Sequence, residues 1–151
     1  MKYLKSLYKE HVLYVTHINN WRSSLDTNQP DYRSWMRAET YLRLDVLIDD
    51  LQTACQQSHI PQGIDAVWEL VSLHTGLPVA QARQFSFAES LAALRPALES
   101  QCIPPEVLEY PPYIHHQLQS LPAGQKIELP PYSKAEWNHS LLKKYQDLHS
   151  L

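Results

Sequence analysis

Glycine is almost missing from this chain, with three in 151 residues. Three scattered glycines cannot form a phosphate-cradling loop, and they leave little material for the tight turns of a β-rich fold. Charge is sparse as well, at 19% of residues with a net −3 and no lysine- or arginine-rich tract. A chain that grips a phosphate backbone needs a basic face, so nucleic acid is not the expected partner. No apolar run reaches membrane-spanning length, and the N-terminus lacks a signal-peptide core. A cytoplasmic location with no membrane partner is the expectation that follows. The two cysteines, Cys55 and Cys102, stand 47 apart with no CxxC spacing. They read as two reduced, buried thiols. HExxH and GxSxG are absent, so no motif names a metal, a cofactor or an enzyme, and no motif points to a known family.

What is present is helical periodicity. The densest helix-spaced apolar run lies within residues 30–57. Tyr41, Leu44, Ile48, Leu51 and Cys55 step by three and four along one face, with Met36, Leu47 and Ala54 beside them. Trp35, Leu42 and Val46 form a second stripe, roughly opposite. Two stripes need cover on two sides, so this helix is expected at the centre, with Leu44, Ile48 and Leu51 buried. Pro30 suits its first turn, with Asn28 or Gln29 as cap, and the helix should end before Pro61.

Residues 3–25 repeat in sevens: Leu4, His11, Ile18 and Leu25, with Leu7, Tyr14 and Trp21 interleaved. This pattern predicts an amphipathic helix laid along the central one, and it leaves a dimer seam open. Pro61-Gln62-Gly63 breaks the chain. Ile64, Val67, Trp68 and Val71 mark a third helix that Gly76 should stop. Pro78 opens a short fourth helix through about Phe85. Ser86 and Glu89 form a capping box ahead of a fifth, in which Pro96 should kink or shorten the pattern.

Beyond residue 103 the character changes, for seven of the eleven prolines fall between residues 104 and 131. Glu109-Tyr110-Pro111-Pro112-Tyr113 is echoed by Glu128-Leu129-Pro130-Pro131-Tyr132. Pro-Pro-Tyr pieces favour extended geometry. Ser133 and Glu136 form a second capping box, expected to open a last helix with Trp137, Leu141, Tyr145 and Leu148 along one side. The fold expected is all-α: a small helical bundle over 1–102, a Pro-rich extended arm over 103–132 and a C-terminal helix over 133–151.

Three functional readings compete. The aromatic residues of the last third are the kind enriched at interface centres. They make Tyr110, Tyr113, Tyr132, Trp137, Leu141, Tyr145 and Leu148 candidate contacts to another protein or to a second copy. On this reading the chain is a non-enzymatic adaptor, chaperone-like protein or accessory subunit. The plainer alternative has the same side chains sealing the protein's own surface. Residues 68–85 have helix-turn-helix spacing, with Gln81, Arg83 and Gln84 placed to read base edges. A helical corner explains that stretch equally simply. Asp45 and Asp49, one turn apart, could serve as an acid and base pair or hold a metal, although such pairs also occur on ordinary solvated faces. The eight histidines show no ligand spacing beyond Glu136 and His139, and Glu136 is already used by its capping box.

Overall fold

A computed structural model describes residues 2–23, 28–55 and 59–149. These residues fold as seven α-helices: α1 (Leu4–Asn19), α2 (Tyr32–Ala54), α3 (Gly63–Thr75), α4 (Val79–Ala82), α5 (Phe87–Glu99), α6 (Pro112–Gln119) and α7 (Ser140–His149). A single 3-10 turn, Lys134–Glu136, precedes the last of them. No β-strand occurs among the described residues, only an isolated bridge between Arg22 and Pro30. No described helix is long and apolar enough to cross a membrane.

The centre is α2. Between Tyr32 and Gln52 only Asp50 is exposed. Helix α1 packs along it most extensively, α3, α5 and α6 cover other parts, and α7 and the 3-10 turn close over α1. Tyr41, Leu42, Leu44 and Ile48 are fully or almost fully buried. Leu51 is only half-buried, because the last turns of α2 run out from under their cover. The helix also starts later than Pro30. Asp31 is the cap, its carboxylate accepting from the Arg33 N–H, while Pro30 stays outside in the bridge to Arg22.

Helix α1 buries Leu4, Leu7, Tyr8, His11, Val12, Val15 and Thr16. It ends at Asn19 because Asn20 turns left-handed, at φ 54°. The seven-residue pattern runs further than the helix does. Trp21 is buried beyond its end, Ile18 is 43% exposed, and Leu25 lies outside the described residues. Gly76 ends α3 at φ 78°, a conformation that favours glycine. Helix α4 is four residues long, shorter than the stretch to Phe85 suggests. Ser86 and Glu89 satisfy each other's backbone N–H groups as a capping box. Helix α5 then continues through Pro96 to Glu99, three residues past the proline.

The last third departs most from an extended reading. Pro111 and Pro112 start α6, a helix of eight residues. The second Pro-Pro-Tyr leads instead into the Ser133 capping box, which opens the 3-10 turn and not α7. Trp137 therefore precedes the last helix and shares no helical stripe with Leu141. Both cysteines carry free thiols, but Cys102 is exposed and Cys55 half-buried, so neither is a core residue.

Candidate functional site

Two places bring chemistry-bearing side chains together. One is sealed in the core. Arg37, 1% exposed, donates to Glu136 Oε1 at 2.9 Å and also to the carbonyl of Pro130. The same Glu136 oxygen accepts from Tyr41 Oη at 2.8 Å, and Oε2 accepts from Asn19 Nδ2 at 2.5 Å. Burial, then the Glu136 carboxylate beside it, pushes the Tyr41 hydroxyl far above its ordinary range. A parallel cluster joins His11 Nε2 to Asp45 Oδ2 at 2.6 Å, with the Trp137 indole donating to Oδ1 at 3.1 Å. His11, Asp45 and Trp137 are all buried. Each charge here has a protein partner, and none faces solvent. Such an arrangement specifies how the last third closes on α1 and α2.

The other place is open to solvent. Residues 107–113 run beside α1 and the start of α2 and leave a groove of about 530 Å³ between them. Its walls carry Tyr8, Trp35, Tyr110 and Tyr113. Trp35 meets Tyr8 edge-on at 5.3 Å between centroids and Tyr110 at 6.3 Å. The hydroxyl of Tyr113 accepts from Trp35 Nε1 at 3.3 Å and donates to the Pro30 carbonyl at 2.9 Å, while that of Tyr8 donates to the Trp35 carbonyl at 3.0 Å. With the polar atoms of Tyr8, Trp35 and Tyr113 engaged internally, these three rings present mainly apolar surface. Burial raises the hydroxyl pKa of both Tyr110 and Tyr113, so the groove aromatics are neutral at ordinary pH. Gln117 on α6 accepts from the Tyr32 N–H at 3.1 Å and holds this wall against α2.

Along the α1 edge of the groove run Lys5, Lys9 and Leu13, at i, i+4 and i+8 on one stripe. Leu13 is 52% exposed. Lys5 and Lys9 are exposed, and among the described residues neither has a carboxylate partner. In the other large opening of the surface the charges pair. The opening of about 450 Å³ between α2 and α5 is rimmed by Arg43 with Glu39 and by Arg95 with Glu99, bonded at 3.5 and 2.8 Å.

Of the residues the sequence offered as partner contacts, Tyr110 and Tyr113 line this groove. Tyr132 lies elsewhere, half-buried, with the Arg37 guanidinium 4.3 Å from its ring centre and its hydroxyl 3.1 Å from Thr40 Oγ1. Trp137 stacks on Phe87 in the core, and Leu141 is buried. Tyr145 stacks on Tyr3, leaving Leu148 the exposed member, at 60%. Of Trp137, Leu141, Tyr145 and Leu148, the first three are thus covered mostly by this chain itself.

Gln81, Arg83 and Gln84 are exposed, on and just after the single turn of α4, and Arg83 lies 5.8 Å from the Trp68 ring centre. Asp45 and Asp49 do not form a working pair. Asp45 is sealed and doubly bonded, whereas Asp49 accepts from Gln146 at 2.8 Å. Glu136 and His139 diverge, one buried with Arg37 and the other exposed beside Gly63. Among the described residues no three His, Cys, Asp or Glu side chains gather as a metal site would require.

Tyr8, Trp35, Lys5, Lys9 and Leu13 were not singled out from sequence as site residues. The available signal was Leu13, an aliphatic side chain on the solvent-facing side of an amphipathic helix, one turn from Lys9 and two from Lys5. Compared with protein-family models, with curated proteins and with solved structures, the chain matches none.

Proposed function

We propose that this chain is a non-enzymatic protein-interaction module, an adaptor or accessory subunit of the cytoplasm, that seats a segment of a partner protein in the groove beside α1. In this reading residues 103–132 act as an arm whose first part forms one wall of the groove. The observation that supports it is the combination of Trp35, Tyr110 and Tyr113 with a half-exposed Leu13 around about 530 Å³ of open space. Apolar and aromatic surface of this kind is costly to leave in water, at about 25 cal/mol per Å². Concave aromatic surface is also where the anchors of a partner gain most.

The test is site-specific photo-crosslinking in the native host, with the reactive residue at Leu13 or Tyr110 and, as control, at the exposed Arg95 of α5. Protein adducts from the two groove positions and not from the control are expected. Equal yields from all three positions, or none from the groove, would sink the reading.

A further inference from the structure

Resting on the reading of this groove as a docking site, we infer that its occupant is an extended acidic segment in which a bulky apolar residue lies between two carboxylates. The charge preference comes from Lys5 and Lys9. Both stand on the groove edge, exposed and without carboxylate partners among the described residues, in a chain whose net charge is −3. They are the two cations that line this groove, and the one carboxylate among its lining residues, Glu109, is not paired with either. Two unpaired ammonium groups over an aromatic floor favour an anionic partner that also has apolar bulk.

Spacing narrows this further. Four residues along a helix rise about 6 Å. Residues i and i+2 of an extended chain are about 6.7 Å apart and point the same way, while i+1 points to the other side. Two carboxylates at i and i+2 therefore match Lys5 and Lys9, and flexible lysine stems absorb the difference. The side chain between them is then directed down towards Trp35 and Tyr110. Glu109 stands in the wall that the arm supplies. It repels acidic groups on that side and so fixes the orientation, with the carboxylates towards α1. Exposed ion pairs add little affinity, so the apolar residue provides the hold and the lysines provide the choice.

The probe is the blocked peptide acetyl-Ser-Glu-Phe-Glu-Ser-amide, titrated into the full chain and followed by NMR through the Trp35 indole N–H and the amides around Leu13. The comparison probes are the same peptide with both Glu replaced by Lys, and phenylacetate. The acidic peptide should shift these resonances and bind about tenfold more tightly than the lysine peptide. A double variant, Lys5→Glu with Lys9→Glu, alters only exposed side chains. It should reverse that order while its thermal melt stays where the parent's is.

Equal binding of the two peptides, or no shift in the groove, overturns the inference. Phenylacetate binding as tightly as the acidic peptide would reassign the groove to small aromatic anions. A dimer that seats a second copy there would overturn the inference as well. The two proposals fail differently. A groove that crosslinks a partner yet prefers the lysine peptide sinks the charge assignment alone, whereas a groove that crosslinks nothing sinks the docking reading beneath it.

Discussion

Glu136 does two jobs that no local pattern distinguishes. Its Oε1 accepts from the Ser133 N–H at 3.2 Å, as the Ser-x-x-Glu spacing announces, and the same oxygen neutralises Arg37, 99 residues away. The first is legible because a capping box is a matter of four consecutive residues. The second is not, because sequence carries no distance between α2 and the last third. The energetic weight lies with the second. Glu136→Ala strands a buried guanidinium and should cost about 3–5 kcal/mol in urea unfolding. Replacing both partners, Arg37→Met with Glu136→Leu, should cost clearly less, since no charge is left uncompensated. Equal losses from the single and the double variant would show that the ion pair is not what matters at this position. The groove was half legible in the same way. Tyr110 and Tyr113 stand out by composition, but nothing in the sequence separates Lys5 and Lys9 from any other lysine on a helix, because only the fold brings residues 107–113 beside them.

At the scale of elements, signals confined to one turn read well and signals spread along a helix read less well. The Ser86 box and Gly76 mark real helix ends because each acts through its own backbone. Pro30 misled, since a proline allowed in a first turn is equally at home just ahead of a cap, and Asp31 has the side chain that caps. Pro96 has no N–H to donate, yet α5 runs past it. The buried Leu91, Leu94 and Leu98 hold both sides of the proline against the core. The double stripe of α2 was legible as a demand for cover on two sides, though not how far that cover reaches. Ile48, 2% exposed, should cost about 2–5 kcal/mol on truncation to Ala, and Leu51, half-buried, distinctly less. Chemical denaturation of the two variants side by side checks this, and similar losses would contradict the difference in burial.

For the molecule as a whole, the tyrosines set a limit on alkaline stability. Burial, the largest cause, pushes the Tyr8 and Tyr41 hydroxyls well above their ordinary pKa and takes Tyr3 to about 12. An unfolded tyrosine gives up its proton near about pH 10. Above that value the unfolded chain sheds protons that the native chain keeps. Stability is therefore fully present below about pH 10 and is lost as pH rises towards the folded values. Urea midpoints should stay level across neutral pH and then fall beyond about pH 10, less steeply in Tyr8→Phe. A midpoint that holds steady to about pH 12 would mean these hydroxyls are not buried as described.

The bond between Arg37 and Glu136, and that between Asp45 and Trp137 across 92 residues, also bear on how the chain is made. A ribosome that has reached residue 120 has synthesised the first six helices, but neither the carboxylate that neutralises Arg37 nor the indole that serves Asp45. At about 5–20 residues per second, that interval lasts a few seconds. Throughout it the nascent chain carries an apolar surface with a bare guanidinium and a half-served carboxylate at its centre. Completion needs Glu136 and Trp137, so the native state cannot close before both have been made. A chain cut short between Gln119 and Glu136 thus keeps six of the described helices and neither closing contact, a product suited to chaperones and proteases.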